Sequence, residues 1–173
     1  MKNIYIIADS HFNHQDIIDK YEFRPIDYAR QICRKIKNNV PTESTLIHLW
    51  DVIFKKPYEL KWYLASMWNM TKILVKGNHD NKSNHFYHSM WFNLVVDEIK
   101  IGNIVFTHIP KTKLLKNEIN CHWHLHRNSH TIDEFTNTPD NYILYSAEKE
   151  NYMPRRLDFL IKRHQNRTTS QYY

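Results

Sequence analysis

Three short apolar segments, each followed by polar residues, constrain what this chain can fold into. The segments are IYIIA at 4–8, TLIHL at 45–49 and KILV at 72–75, and each has the length of a buried strand. Helical patterns separate them, because apolar residues recur every four positions over 28–40 and a second amphipathic pattern begins at Pro57. The order strand, helix, strand, helix, strand predicts parallel strands with helices packed on the sheet.

The second half of the sequence predicts more strands and a closing helix. Apolar and polar residues alternate on both sides of Gly102-Asn103, which predicts a hairpin with a two-residue turn and glycine at positive φ. The segments 119–126 and 141–148 have the composition of strands, and 152–164 predicts a helix with Pro154 in its first turn. Together these elements predict a sheet of mixed direction packed with helices.

Length and composition are those of a globular protein with one domain. With 42% hydrophobic and 24% charged residues, we expect a single domain over 1–173 and a loose tail at 168–173. No apolar run approaches the roughly 20 residues of a membrane span, and the N-terminal run is too short for a signal peptide. Cys33 and Cys121 lie far apart in the sequence, which predicts free thiols in a reducing cytoplasm.

The net charge of +6 suggests an anionic partner, but its distribution weakens that suggestion. Residues 151–173 hold five basic residues against one acid, a net +4, so the rest of the chain is nearly neutral. A basic segment of this kind is more often a solvated helix face than a nucleic-acid site. Charge alone therefore leaves the partner open.

Aspartate, asparagine and histidine are concentrated where the predicted strands end. Open α/β sheets place their chemistry at such ends, and recurrence at several of them is hard to explain by core packing. Imidazole and carboxylate ligands suit Mn, Zn, Fe or Ni, and Asp51 is placed to bridge two metal ions. The residues are Asp9, His11, Asp51, Asn78, His79, Asp80, His108, His122, His124 and His126.

The motifs ADSH, LWDV, KGNHD, FTHIP and WHLH occur in the order found in the calcineurin-like metallophosphoesterases. The chain resembles this family from Lys2 to about Lys162, and within it the small single-domain bacterial and phage phosphoesterases. The resemblance implies an α/β (α+β) fold in which two mixed β-sheets pack as a sandwich flanked by helices. It also implies two divalent metal ions, with Mn favoured over Zn, Fe or Ni, bridged by an aspartate and a hydroxide.

The resemblance assigns metal ligands residue by residue. Each ion would take one set of three side chains, and the bridging carboxylate would be that of Asp51. The first set would be Asp9, His11 and His126. The second set would be Asn78, His108 and His124.

Two further assignments follow from the same motifs. His79 would be the general acid, or a positive group near the leaving oxygen, and Asp80 would orient its imidazole. The sequence HWHLH holds two histidine pairs of the right spacing. The position of glycine in the family pattern selects His124 and His126, which leaves His122 as a candidate for substrate binding.

The chain departs from the family pattern at Trp50 and Trp123, where the family has glycine. Three interpretations stay open for these indoles: packing in the core, stacking on a nucleobase, or blocking the site. His14 and Arg24 recur in the small members of the family and are candidates for contact with substrate phosphate, Arg24 by a forked contact. The alternative is that His14 supports a metal ligand and that Arg24 lies on the surface.

The functional prediction is hydrolysis of a phosphoester, more readily a diester than a monoester. A chain of 173 residues has no room for a large capping domain, so an open cleft would admit nucleotides, cyclic nucleotides or nucleic-acid ends. No membrane partner is expected, and the oligomeric state stays open. The competing hypotheses are a degenerate, inactive fold that serves as a binding or scaffold protein, and a protein phosphatase.

Overall fold

The computed structural model describes residues 3–19, 24–67, 69–122 and 141–170. Within these ranges the strands fall into two sheets. In chain order the strands are β1 (Ile4–Ala8), β2 (Thr45–Leu49), β3 (Thr71–Val75), β4 (Leu94–Val96), β5 (Glu98–Ile101), β6 (Ile104–Thr107), β7 (Ile119–His122), β8 (Tyr142–Leu144) and β9 (Arg155–Arg156). The helices are α1 (Gln15–Asp19), α2 (Tyr28–Asn39), α3 (Leu60–Leu64), α4 (Asn84–Ser89) and α5 (Leu157–Ser170), with 3₁₀ turns at Pro57–Glu59 and Ala65–Met67.

The first sheet has the order β4-β3-β2-β1-β9, in which β1 to β4 are parallel and β9 runs antiparallel to β1. Its central strands are apolar on both faces because both faces are covered. Ala8, Leu49 and Val75 lie side by side as the last residues of β1, β2 and β3. The chain segments that follow these three residues therefore leave the sheet at one edge.

The second sheet has the order β5-β6-β7-β8, with β5 antiparallel to β6 and the other pairs parallel. An inner core of apolar side chains from both sheets lies between them and includes Ile6, Leu49 and Phe106. An outer core lies between the first sheet and the helices and includes Ile7 and Ile32. The predicted sandwich of two mixed sheets flanked by helices is thus confirmed.

The predicted hairpin is correct for β5 and β6, which pair antiparallel around Gly102 at φ 62°. The alternating segment before the turn was predicted to begin at Val95, but Val95 and Val96 belong to β4 and pair with β3 in the first sheet. A strand shows the same alternation of apolar and polar residues in either sheet. The sequence therefore did not reveal that the chain crosses from the first sheet to the second between β4 and β5. The predicted strand 119–126 is confirmed as far as His122, and residues 123–126 lie outside the described ranges.

The closing helix begins later than predicted. Arg155 and Arg156 pair with Ile6 and Tyr5 as a short strand, so α5 starts at Leu157 and Pro154 is not in its first turn. The helix extends past the predicted end at 164 to Ser170, which overlaps the first residues of the segment predicted to be a loose tail. Within the described ranges, no helix combines the length and hydrophobicity needed to cross a membrane.

Candidate metal centre

The shared edge of the first sheet collects two aspartates and a histidine from three parts of the chain. Asp9 follows β1, Asp51 lies two residues after β2, and His108 follows β6 of the second sheet. One potential ligand atom from each of these residues lies within 4.8 Å of the other two, and all three side chains are buried. Asp9 and Asp51 are brought together because β1 and β2 are parallel neighbours that end at the same edge, and His108 reaches them from the second sheet.

Asp51 is at the centre of this cluster. Its Oδ2 lies 3.6 Å from Nε2 of His11 and 3.6 Å from Nε2 of His108. Nε2 of His11 also lies 4.0 Å from Oδ1 of Asp9, and Nε2 of His108 lies 2.7 Å from Oδ1 of Asn78. Asp51 thus lies next to ligand atoms from several parts of the chain, which is compatible with a bridge between two ions.

Asp9 is in an environment that disfavours its negative charge. The side chain is 1% exposed, and neither carboxylate oxygen has a hydrogen-bond partner among the described residues. Burial, and after it the charge of Asp51, raise the pKa of Asp9 well above its usual value. A buried carboxylate needs a charge partner, so a cation next to Asp9 and Asp51 fits the chemistry of this set of donors.

The backbone around the cluster is strained in a way that is unusual for residues other than glycine. Asp9, His11, Trp50 and Asp51 have φ values of 49°, 43°, 57° and 43°, in the left-handed region that L-residues seldom occupy. Hydrogen bonds from Asp9 N to Leu49 O at 3.0 Å and from His11 N to Asp51 O at 2.8 Å tie the two loops together. Three of these four residues carry side chains of the cluster, and such strain is typical of functional sites.

His79 lies at the open side of the cluster and is half-buried. Its backbone N–H donates to Oδ1 of Asp51 at 2.9 Å, and its ring centroid is 5.5 Å from that of His11. The imidazole is therefore adjacent to the candidate metal ligands without being grouped with them. This placement is compatible with the predicted role in proton transfer.

Asp80 has backbone partners in the structure. Its carboxylate accepts hydrogen bonds from the N–H of Gly77 at 2.9 Å and of Val52 at 3.0 Å, and burial raises its pKa to about 7. These bonds join the loop after β3 to the loop after β2. Asp80 therefore positions the backbone on either side of Asp51 and His79, whereas the sequence predicted a bond to the imidazole.

His14 supports His11. The Nδ1 atoms of the two rings lie 3.3 Å apart, so His14 holds one nitrogen of His11 while Nε2 of His11 faces Asp51. Ligating histidines commonly have their second nitrogen held in this manner. The contact favours the supporting role over the predicted contact with substrate phosphate.

Arg24 is directed into the protein. It is 4% exposed; its Nε donates to Glu148 at 2.7 Å, and its Nη1 donates to the carbonyl of Ser10 at 3.0 Å. The guanidinium also lies 5.0 Å from the ring centroid of Tyr28. An arginine engaged in this way is not free for a forked contact with a phosphate, and it is not a surface residue either.

Trp50 and His122 are also buried. Trp50 is 0% exposed and packs in the inner core, with its ring 5.8 Å from that of His108, so it neither faces solvent nor covers Asp51 from outside. Burial lowers the pKa of His122 to about 4, and the residue ends β7. The predicted residues Trp123, His124 and His126 lie outside the described ranges.

One residue near the cluster was not singled out from the sequence. Phe54 stacks on His14 with ring centroids 3.8 Å apart and meets the edge of His79 at 5.1 Å. Its sequence signal was its place three residues after Asp51, in the loop that carries the central carboxylate.

Two solved structures share the fold. The protein of unknown function AQ665 from Aquifex aeolicus has a TM-score of 0.69 at 21% identity, over 94% of this chain and 99% of that one. The Pseudomonas putida nuclease MPE has a TM-score of 0.51 at 14% identity, over 69% of this chain and 59% of that one. At these identities the likeness shows the fold alone.

At the level of sequence, the chain matches no protein-family model. It is 30% identical over 169 residues to the uncharacterized protein MJ1445 of Methanocaldococcus jannaschii, an alignment that covers 94% of this chain and 91% of that protein. The chain belongs to the same family as MJ1445.

Proposed function

We propose that this protein is a dinuclear metal-dependent phosphoesterase that hydrolyses phosphodiesters. The observation that carries the proposal is the position of Asp51, whose Oδ2 lies 3.6 Å from the Nε2 atoms of both His11 and His108. Two imidazoles close to the same oxygen of one buried carboxylate are poorly explained by core packing, since polar groups are costly to bury without partners.

The ligand sets proposed from the sequence are compatible with this geometry. Nε2 of His11 lies near Asp9 and Asp51, and Nε2 of His108 lies near Asn78 and Asp51. His126 and His124 would complete the two sets. When bound, two divalent cations would activate water near neutral pH and neutralise charge on the phosphoryl group.

The residues of the chain would perform the remaining steps. His79, held through its backbone by Asp51, would donate a proton to the oxygen of the leaving group. His14 would hold the ring of His11, and Asp80 would fix the two loops that carry Asp51 and His79. The strained backbone at Asp9 and Asp51 keeps the ligands in place before substrate binds, which lowers the cost of organising the site.

Nucleotides or nucleic acids are the proposed substrate class. The nuclease MPE shares the fold at 14% identity, which supports testing a nucleic-acid substrate without assigning one. The competing hypothesis of an inactive scaffold depended on tryptophans that block the site. Trp50 does not block it, because its indole lies in the inner core.

The test is metal-dependent hydrolysis of bis-p-nitrophenyl phosphate by EDTA-treated protein, with Mn, Zn, Ni or Mg added back. Asp51→Asn should abolish turnover and weaken metal binding in calorimetry, while Asp97→Asn, at an exposed carboxylate outside the cluster, should alter neither. Absence of turnover by folded protein with every metal would contradict the proposal. Retention of turnover by Asp51→Asn would contradict the bridging role.

A further inference from the structure

We propose that Phe54 is a stacking platform for a nucleobase of the substrate and that Lys55 binds the neighbouring phosphate. The inference rests on the proposed phosphodiesterase function and narrows its substrate class. The substrate would be a dinucleotide or oligonucleotide whose base next to the cleaved bond, on the leaving side, lies against Phe54.

The ring of Phe54 is close enough to the candidate metal centre to serve this purpose. One face stacks on His14 at 3.8 Å and 20°, and the edge of His79 meets the ring at 5.1 Å and 72°. Phe54 thus lies one ring contact from His79, the residue proposed to protonate the leaving oxygen. A base placed against Phe54 would therefore belong to the leaving nucleoside.

The backbone on both sides of Phe54 is held in place. Phe54 N donates to the carbonyl of Phe12 at 2.9 Å, and the side-chain amide of Asn13 donates to the carbonyl of Lys55 at 3.3 Å. Asn13 is itself held by the hydroxyl of Tyr63 at 2.6 Å. A preorganised platform loses little conformational freedom when it binds a flat ligand.

The charge next to Phe54 favours a nucleotide over a neutral aromatic ligand. The Nζ of Lys55 lies 5.7 Å from the centroid of the Phe54 ring, and the lysine is exposed, so it can move from the ring to a phosphate. Lys56 pairs with Glu59 at 3.5 Å, whereas Lys55 has no carboxylate partner within the described ranges. The aromatic ring of Phe54 suits a flat base, and the ammonium group of Lys55 suits the negative phosphate attached to it.

The test compares thymidylyl-thymidine with the same dinucleotide carrying an abasic tetrahydrofuran residue at the leaving position. Stacking is worth roughly 1–3 kcal/mol per base, so the Mn-loaded wild-type protein should prefer the intact dinucleotide about tenfold in kcat/KM. Phe54→Leu should reduce this ratio to near one, and Phe54→Trp should preserve it. Lys55→Gln should raise KM with little change in kcat. Trp62→Leu, at a tryptophan 82% exposed on α3, is the matched control.

Each outcome supports or overturns the inference. A ratio unchanged in Phe54→Leu, or equal losses on both substrates, would make Phe54 a packing residue for His14. If the wild-type protein cleaves neither substrate, the proposed phosphodiesterase function is contradicted. The role of Phe54 in base stacking is then tested separately by measuring oligonucleotide binding. In that case metal-free protein is titrated with fluorescein-labelled hexathymidylate. A weakening of about tenfold in Phe54→Leu, with Trp62→Leu unchanged, supports the platform, and no difference overturns it.

Discussion

Gly77 lies directly against the carboxylate of Asp51. A Cβ atom at Gly77 would be 2.1 Å from Oδ1 of Asp51 and 2.8 Å from both its Cγ and its backbone nitrogen. The glycine is required here for close approach rather than for positive φ. The absence of a side chain at one position thus sets where the central carboxylate can lie.

Gly77→Ala should displace Asp51 and weaken metal binding. Overpacking of this kind costs about 1–3 kcal/mol of stability, and loss of support for a ligand typically reduces metal affinity about 10–100-fold. Calorimetric titration with Mn and chemical unfolding would measure both effects. The matched control is Gly102→Ala, at the turn where φ is 62° and a Cβ meets nothing within 4 Å. That variant should lose about 1 kcal/mol of stability and bind metal normally, and equal metal affinity in the two variants would contradict the argument.

His79→Ala should retain metal but lose catalysis. The imidazole is adjacent to His11 and outside the candidate ligand groups, so its removal leaves those groups intact. General acid catalysis is worth about 10²–10⁴-fold, and kcat should fall by that amount. The measurement is kcat with bis-p-nitrophenyl phosphate and with dinucleotide at saturating Mn. His85→Gln, at an exposed histidine, is the control, and a fall in kcat of less than about tenfold would remove His79 from the mechanism.

Arg24→Met should reduce stability and leave KM unchanged. Removing one partner of a buried ion pair leaves the other charge uncompensated, which costs about 3–5 kcal/mol when both are buried. The side chain of Glu148 is 25% exposed, so we expect a smaller loss of unfolding free energy, about 2–3 kcal/mol. Urea unfolding would measure the loss, and the double variant Arg24→Met/Glu148→Gln should recover part of it. A raised KM with unchanged stability would restore the role in phosphate binding.

The stability of the metal-free protein should depend on His48 below pH 6.5. Burial lowers the pKa of His48 to about 3, and its Nε2 lies 2.6 Å from the hydroxyl of Ser10. The unfolded chain binds a proton at His48 below about pH 6.5, and the folded protein does not until about pH 3. This residue therefore lowers stability as pH falls through that window, by about 1.4 kcal/mol per pH unit.

The measurement for His48 is urea unfolding at pH 7, 6 and 5 for the wild-type protein and His48→Gln. The difference between their unfolding free energies should change with pH, because the variant lacks the titrating group. His85→Gln should follow the wild-type curve, since that histidine is exposed. Parallel curves for the wild-type protein and His48→Gln would show that the folded protein does accommodate the charge.

The parts of the fold that could be predicted from the sequence are those specified locally. The strands β1, β2 and β3 are short apolar segments with polar ends, so their parallel order and the meeting of Asp9 with Asp51 followed directly. What could not be predicted depends on distant partners. Arg24 is bound by Glu148, 124 residues away, and a sequence does not reveal which buried charges will pair. The strand β9 has two residues, too few for any periodic pattern.

The site was predictable in residue type but less so in the role of each residue. Asp51 was predicted to be the bridging residue from its motif, and the proximity of its Oδ2 to both His11 and His108 is compatible with that role. The partners of Asp80 were not foreseen, since a carboxylate after a histidine can bond to the ring or to backbone N–H groups of another loop. That choice is made by the tertiary arrangement of the two loops.

Trp50 combines a backbone conformation suited to glycine with a side chain that fills the inner core. Replacing it with glycine would relieve the φ of 57° but leave a cavity between the sheets. Deleting a large buried aromatic side chain costs about 3–5 kcal/mol, a large share of the roughly 5–15 kcal/mol by which domains are stable. The energy gained by packing the indole therefore outweighs the conformational cost at its own backbone, so a smaller residue at this position would trade local strain for a void.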